Sequence, residues 1–329
     1  MATDLNDLNG IIKESNARFQ RVRAEIAKVL VGQQELVESM LIALLTDGHL
    51  LLEGLPGLAK TLAVTTLAKV VSCDYKRVQF TPDLLPADLV GTSIYNPKDG
   101  LFTVRKGPIF TNILLADEIN RAPAKVQSAL LEVMQERQVT ISGETFKTGV
   151  PYLVLATQNP IEQEGTYPLP EAQTDRFMMK VKLEYPSFDE ERQILQSRAK
   201  LEGFPQPKAV INTDEILHAR HILDEIYIDD KVTNYLLSLV FATRDHKKYG
   251  AKIDGLLQFG ASPRASIALT LTSKAAAFLA GRAYVTPHDI KSVGHRVLRH
   301  RLRLSYEAEA EEVSADNIID KIFEAVPVP

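Results

Sequence analysis

The sequence has little that could crosslink it or hold it in a membrane. It contains one cysteine, Cys73, so no internal disulfide can form, which favours a reducing, cytosolic setting. The apolar stretch at residues 41–52 is interrupted by Asp47 and His49, and no uncharged apolar run is long enough to span a bilayer. We therefore expect a cytoplasmic protein without membrane insertion.

The sequence also lacks a signal peptide pattern and a strong charge of one sign. Its first ten residues contain Asp4 and Asp7 and have no apolar core. A net charge of −4 gives the whole protein no electrostatic match to nucleic acid or an anionic membrane. What is present, 45% hydrophobic and 24% charged residues over 329 positions, suffices for a sizeable core and suggests two domains.

Apolar residues recur at two different spacings along the chain. Residues 5–30 and 33–46 follow a helical period. Short runs rich in Leu, Val and Ile come next, with helical patterns between several of them, and most of these runs do not alternate with polar residues. The predicted strands lie at residues 49–52, 77–80, 113–116, 152–156 and 178–183. This pattern predicts a doubly wound α/β domain with a five-stranded parallel sheet and helices on both faces.

Two segments of this α/β domain predict β-hairpins. Two β-prone runs flank Asn96-Pro97-Lys98-Asp99-Gly100, a sequence with turn chemistry. A second pair of β-prone runs surrounds Gly143. We therefore expect hairpin inserts near residues 89–106 and 138–148, and inserts of this kind are commonly functional loops.

The pattern changes after Glu184. Residues 185–187 are typical of a linker, and Ser187 with Glu190 forms a capping box that starts a helix. Further helices are predicted near residues 214–226, 230–244, 263–280, 287–301 and 315–325. We therefore divide the chain into an α/β domain at residues 1–184 and a smaller all-α domain at residues 185–329.

A glycine-rich loop between a predicted strand and a predicted helix carries the strongest chemical signal. Its residues are Gly54, Leu55, Pro56, Gly57, Leu58, Ala59, Lys60 and Thr61, and we expect them to bind a nucleotide together with Leu62. Backbone N–H groups can hold phosphates, Lys60 can reach the β and γ oxygens, and the Thr61 hydroxyl can coordinate Mg²⁺. Ala59 stands where this pattern usually has its last glycine. The alternative is an incidental glycine-rich turn.

Polar side chains follow two of the later predicted strands. Asp117 and Glu118 come directly after the strand at residues 113–116, where Asp117 can hold Mg²⁺ and Glu118 can polarise an attacking water. The alternative is an acid pair that caps the next helix. Asn159 follows the strand at residues 152–156 and can orient the same water, or it is a turn asparagine before Pro160.

Two arginines are candidates for stabilising phosphate charge. Ser262 and Pro263 predict the start of a helix, so Arg264 falls in its first turn, where a cation opposes the helix dipole and suggests a nearby anion such as a γ-phosphate. Arg176 precedes the last predicted strand and can neutralise charge in a phosphoryl-transfer transition state. The alternatives are a solvated arginine for the first and a structural ion pair for the second.

These motifs together resemble the MoxR family of AAA+ ATPases. The resemblance covers about residues 25–305 and rests on the segments Val31-Gly32-Gln33, GLPGLAKT, ILLADEINRA, VLATQNP, EAQTDRF and SPRA. It implies ATP and Mg²⁺ as cofactors, and Ala59 is then a family trait. The implied roles are Val31 and Gly32 near the adenine, Lys60 and Thr61 in Walker A, Asp117 and Glu118 in Walker B, Asn159 as sensor 1, Arg176 as the arginine finger and Arg264 as sensor 2.

The resemblance also implies an assembly and a task. The family's usual assembly is a hexameric ring, in which Arg176 would act on ATP held by the neighbouring subunit; Arg121 and Arg137 are alternatives for that role. The two hairpins would be the helix-2 and pre-sensor-1 inserts. The implied work is chaperone-like remodelling or activation of protein clients, often with von Willebrand factor A-domain partners. The alternative is a nucleic-acid motor or loader that uses the hairpins, although nucleic acid is not the expected partner.

Overall fold

The computed structural model describes residues 5–55, 57–98, 100–160, 166–199 and 205–329, so Pro56 and Asp99 of the predicted loops lie outside the described residues. The chain forms two compact units. The sheet unit comprises Arg21–Phe177 and Val181–Leu217, and the helical unit comprises Met1–Gln20, Met178–Lys180 and His218–Pro329. The predicted domain boundary at residue 184 stays a prediction.

Helices and strands alternate along the first half of the chain, and helices dominate the second half. The helices are α1 Leu5–Ala27, α2 Gln34–Leu45, α3 Lys60–Val70, α4 Pro86–Val90, α5 Ala124–Glu136, α6 Glu171–Thr174, α7 Phe188–Arg198, α8 Thr213–Asp224, α9 Asp230–Ala242, α10 His246–Tyr249, α11 Pro263–Leu279, α12 Pro287–Leu298, α13 Tyr306–Ala310 and α14 Ala315–Ala325, with a 3-10 turn at Ile119–Arg121. The strands are β1 Leu50–Glu53, β2 Tyr75–Gln79, β3 Gly91–Asn96, β4 Leu101–Lys106, β5 Ile113–Asp117, β6 Gln138–Ile141, β7 Glu144–Lys147, β8 Leu153–Gln158, β9 Met179–Lys182, β10 Leu257–Phe259 and β11 Arg303–Leu304.

The five predicted strands form one sheet in the order β2-β5-β8-β1-β9, which confirms the predicted fold class. The ladders β2–β5, β5–β8 and β8–β1 are parallel. Parallel neighbours need crossover connections, and the intervening helices supply them. In this register Gln79 pairs with Asp117, and Glu53 pairs with Gln158. The carboxyl ends of these strands therefore bring polar side chains to one edge of the sheet.

The three central strands β5, β8 and β1 are buried on both faces, which explains why they do not alternate in sequence. On one face, Leu51, Leu114 and Val154 join a core built with α5, whose residues Val126, Leu130, Leu131, Val133 and Met134 lie in the same cluster. The opposite face of these strands is also shielded from solvent, since Leu50 and Leu115 are fully buried. Helices α2 and α3 contact β1 and β5 respectively.

The β3–β4 hairpin begins and ends on glycines because its two ends approach each other closely. A Cβ at Gly91, which has a φ of +100°, would lie 2.2 Å from the Arg105 carbonyl oxygen. A Cβ at Gly107 would lie 2.0 Å from the Leu89 carbonyl oxygen. Side chains cannot be accommodated at either position without moving the backbone.

The β3–β4 and β6–β7 hairpins contact each other through a cation–π arrangement of exposed and half-buried side chains. The Lys106 ammonium lies 5.1 Å from the Phe110 ring centroid and 4.9 Å from that of Phe146 on β7. The far end of β3–β4 is apolar and exposed, with the rings of Tyr95 and Phe102 5.2 Å apart. The first hairpin is thus fixed at its base and presents an aromatic pair at its tip.

The helical unit is held by packing of α9, α11 and α12 against one another. Ser262 caps α11 as predicted, since its hydroxyl accepts a bond from the Arg264 N–H at 3.2 Å. At the start of α12 the Asp289 carboxylate accepts from the Thr286 N–H at 2.7 Å. An isolated parallel bridge joins Tyr227 and Tyr284, and a second departure from the all-α prediction is the short antiparallel β10–β11 ladder. Its strands are too short to leave a recognisable sequence pattern.

None of the helices in the described part of the chain combines the length and apolar content that crossing a bilayer requires. The cytoplasmic location stays a prediction.

Cys73 is a half-buried thiol in the turn after α3, and we expect it to react slowly. Burial, with a smaller contribution from Asp74, raises the pKa of this thiol to about 11. The thiolate is the reactive species, so about one molecule in a thousand is reactive at pH 8. Alkylation by iodoacetamide, followed by mass spectrometry, should be roughly a hundredfold slower in native protein than in urea-unfolded protein. Native and unfolded rates within tenfold of each other would contradict this assignment.

Candidate active site

A polar pocket of about 340 Å³ opens in the sheet unit where β2, β5 and β8 end and α3 begins. It is lined by Gly57, Leu58, Ala59, Lys60, Thr61, Leu62, Arg77, Gln79, Asp117, Glu118 and Asn159. The structure therefore places the glycine-rich loop, the two acids and the asparagine around one cavity. In open α/β sheets this edge is where ligands bind.

The glycine-rich loop reaches the start of α3 through two residues with left-handed backbone. Gly57 has a φ of +87° and Ala59 a φ of +55°. An alanine tolerates this conformation at a cost of about 1–2 kcal/mol, so the missing last glycine does not prevent the turn. Gly54 is required for another reason, because a Cβ there would lie 2.8 Å from that of Leu183. The loop thus delivers the unpaired N–H groups of the α3 N-terminus to the pocket.

Lys60 is the cation at the start of α3. Its ammonium donates a hydrogen bond to the Gly54 carbonyl oxygen across the loop. Burial lowers the pKa of Lys60, while the carboxylates of Asp117, Glu118 and Glu53 oppose that shift. A partly desolvated ammonium gains from an anionic ligand, since the ligand replaces lost hydration. The loop therefore offers a phosphate both N–H donors and a poorly hydrated positive charge.

Thr157 on β8 braces both acids at the end of β5. Its hydroxyl donates to Asp117 Oδ1 at 2.7 Å and accepts from the Glu118 backbone N–H at 2.8 Å. Glu118 has a φ of +56°, so the chain turns sharply here. The Glu118 side chain does not cap the 3-10 turn that follows it, which argues against the helix-cap interpretation of this acid. The two carboxylates are instead held toward the pocket.

A chain of polar contacts runs from β2 across the pocket floor. Arg77 donates to Asp117 Oδ2 from Nε at 3.1 Å and from Nη2 at 2.6 Å, and its Nη2 also donates to Gln79 Oε1 at 3.1 Å. Gln79 Nε2 then donates to Glu118 Oε2 at 2.6 Å. The same Glu118 oxygen lies 3.1 Å from Arg121 Nη1. Both acids therefore have cationic or amide partners within their own subunit.

Several predicted site residues do not line this pocket. Among the described residues these are Val31, Gly32, Gly54, Leu55 and Arg176. Gly32 has a φ of +68°, and a Cβ there would lie 2.6 Å from Glu190 Oε1, so its glycine is explained by local packing. Arg264 belongs to the helical unit, where it is exposed in the first turn of α11.

The three candidates for the trans-acting arginine differ in how their side chains are engaged. Arg137 is held inside the sheet unit, where it donates to the Tyr152 carbonyl oxygen at 2.8 Å and pairs with Asp47 at 3.3 Å. Arg121 pairs with Glu118. The exposed side chain of Arg176 makes no hydrogen bond or ion pair with any residue that the structure describes. Arg176 is therefore the one of the three whose side chain has no partner in the described part of the chain, and its role in trans stays a prediction.

Sequence reasoning did not find Arg77, Gln79 or Thr157. A signal was present for the first two, because residues i and i+2 of a strand share a face and Gln79 ends β2 beside Asp117. Thr157 left no such signal, since a hydroxyl within an apolar strand is compatible with simple packing.

Family models match two parts of the chain. Residues 49–179 match the ATPase family associated with various cellular activities (AAA), and residues 252–322 match an AAA lid domain. Chaperone MoxR1 from Mycobacterium tuberculosis is 48% identical over 94% of this chain and 82% of its own length. Protein MoxR from Paracoccus denitrificans is 30% identical over 97% of this chain and 98% of its own. The chain belongs to the MoxR family of AAA+ ATPases.

The structural comparison agrees with this family membership. A crystal structure of a candidate ATPase from Cytophaga hutchinsonii superimposes on this MoxR-family chain with a TM-score of 0.91 at 47% identity, covering 98% of both chains. The resemblance predicted from the motifs is thus confirmed, as is the pairing of an AAA+ core with a lid domain. The roles of the individual site residues stay predictions.

Proposed function

We propose that this MoxR-family protein binds ATP with Mg²⁺ in the pocket at the end of β5 and hydrolyses it to ADP and phosphate. The observation that carries the proposal is the convergence of Lys60, Asp117 and Glu118 on one cavity beside the N-terminus of α3. A helix N-terminus with a partly desolvated lysine fits phosphates, and paired acids at a strand end fit a hydrolytic site.

The donor set of the pocket also fits Mg²⁺. The Thr61 hydroxyl and the Asp117 carboxylate line the same cavity, and hard oxygen ligands of this kind are those that Mg²⁺ uses when it bridges a protein and phosphates. The Thr157 hydrogen bond fixes the orientation of the Asp117 carboxylate. When bound there, Mg²⁺ would neutralise charge on the phosphate oxygens.

The remaining chemistry falls to side chains of the chain itself. Lys60 and the α3 N–H groups would bind the phosphates and stabilise the charge that develops during transfer. Glu118 would accept the proton of the attacking water, and Asn159, which is nearly buried at the pocket wall, would orient that water. Arg264 is assigned to the γ-phosphate on the family resemblance and on its place in the first turn of α11.

We further propose that the active form is a ring, a hexamer on the family resemblance, in which Arg176 of one subunit acts on ATP held by the next. The exposure of Arg176 and its lack of a side-chain partner among the described residues support this role. An arginine that completes a neighbour's site makes hydrolysis depend on assembly. An isolated subunit should then hydrolyse ATP poorly.

The proposed task is chaperone-like remodelling or activation of a protein client. The similarity to a relative named as a chaperone supports it. The exposed tip of the β3–β4 hairpin also supports it, because Tyr95, Leu101 and Phe102 form an apolar surface that suits a protein better than a phosphate backbone. Von Willebrand factor A-domain proteins are the partner class suggested by the family resemblance.

The nucleotide part of the proposal is tested by Lys60→Ala. We expect the affinity for a fluorescent ATP analogue with Mg²⁺ to fall by roughly ten- to a hundredfold, because a charged hydrogen bond to phosphate is lost. Lys69→Ala is the matched control, since Lys69 is an exposed lysine at the other end of α3. Equal affinity in both variants would show that the nucleotide does not bind at this loop.

A further inference from the structure

The carboxylate of Asp117, the acid proposed to hold Mg²⁺, already forms an ion pair with the Arg77 guanidinium. Both bonds from the Arg77 guanidinium fall on Oδ2, at 3.1 and 2.6 Å, and Thr157 donates to Oδ1. The Asp117 side chain is 15% exposed, whereas that of Arg77 is 47% exposed. The Asp117 carboxylate is thus held in one orientation and largely shielded from solvent, whereas its partner Arg77 is about half exposed to solvent.

A metal and the guanidinium cannot share this oxygen. Two hydrogen bonds use the acceptor directions of Oδ2, and two cations a few ångström apart repel each other. Arg77 would therefore have to leave Oδ2 if that oxygen held Mg²⁺, directly or through a water. Its position makes this possible, because β2 is an edge strand of the sheet and the side chain is half exposed.

We propose that Arg77 is a resident counter-ion of Asp117 that sets how strongly nucleotide binding depends on Mg²⁺. Arg77 offsets the Asp117 charge and so lets the triphosphate approach without a metal. It also competes with the metal for the carboxylate and so weakens binding of the metal–nucleotide complex. This is a positioning role, which rests on the proposed nucleotide site.

Arg77 also connects the metal ligand to the proposed general base. Its Nη2 donates to Gln79 Oε1, and Gln79 Nε2 donates to Glu118 Oε2. The Arg77 guanidinium and the Gln79 amide thus join the two acids of the pocket in one hydrogen-bonded chain.

The test is the variant Arg77→Met, which keeps the stem of the side chain and removes the charge. Binding of a fluorescent, non-hydrolysable ATP analogue is measured with saturating Mg²⁺ and again with EDTA. We expect affinity to rise roughly two- to fivefold with Mg²⁺ and to fall roughly two- to fivefold with EDTA, as a partly exposed ion pair of ordinary strength would give. Arg77→Lys, which keeps the charge, should restore most of the affinity in EDTA.

Lys76→Met is the matched control, because Lys76 is the neighbouring exposed cation on the opposite face of β2. Its ratio of the two affinities should equal that of the wild type. A purely structural role for Arg77 would weaken binding under both conditions, and that outcome, or an unchanged ratio, overturns the inference alone. Wild-type protein that binds no analogue under either condition overturns the proposed nucleotide site as well.

Discussion

Replacing Glu118 with glutamine is expected to lower ATP turnover by roughly two to four orders of magnitude while leaving ATP affinity within a few fold. The amide has the shape of the carboxylate and keeps an oxygen for the bonds from Gln79 and Arg121. It cannot accept the proton of the attacking water. Phosphate release under saturating ATP measures the turnover, and binding of the fluorescent analogue measures the affinity.

Glu132→Gln is the control for this substitution, since it makes the same chemical change on an exposed position of α5. Unchanged turnover in Glu118→Gln would remove Glu118 from the role of general base. If turnover stops and binding persists, the variant accumulates the ATP-bound form. A protein client captured by this form with ATP, and not by Lys60→Ala, would support the remodelling proposal.

Much of the sheet could be predicted because the burial of a strand is recorded in its own short run of residues. A strand buried on both faces must be apolar throughout, which holds for β1, β5 and β8. Each of the five strands lies within a few residues of its predicted place. The acids at the end of β5 could be placed for a similar reason. Parallel strands end at one edge, so Asp117 had to lie near the loop that follows β1.

The partners of those acids depend on pairings that are distant in sequence. The strand predicted at residues 77–80 starts two residues later than β2 does, at Tyr75. The prediction therefore places Arg77 at the end of a strand, and its side chain is not expected to face Asp117 on β5. The edge position of β2 follows only from the strand order, which no local pattern records. Thr157 gained its role only when β8 was placed beside β5.

The three candidate arginines also could not be distinguished by their partners from the sequence alone. From the residues alone, Arg121, Arg137 and Arg176 are three basic residues near predicted strands or loops, and only the family resemblance singles out Arg176. The structure separates them by partners: Tyr152 and Asp47 engage Arg137, and Glu118 engages Arg121. An arginine that acts in trans has to be free of strong bonds within its own subunit, which is a property of tertiary structure.

Arg176→Ala is expected to lower ATP turnover by roughly three orders of magnitude and to leave ATP affinity nearly intact. The exposed Arg176 side chain does not line the pocket of its own sheet unit. In the proposed ring it would contribute to the neighbour's transition state rather than to ATP binding. Arg192→Ala, at an exposed arginine of α7, is the control. A loss confined to binding would place Arg176 in its own subunit's site instead.

Mixing two inactive variants separates action in trans from action within one subunit. Lys60→Ala subunits lack the loop cation but carry Arg176, whereas Arg176→Ala subunits hold ATP but lack the arginine. In a head-to-tail ring assembled at random from equal amounts, about one quarter of the interfaces join an intact arginine to an intact nucleotide site. Turnover should therefore recover to a measurable fraction of the wild-type rate. A mixture no more active than its separate components would exclude this trans mechanism, provided that an affinity tag on one variant co-purifies the untagged other and so shows both in one assembly.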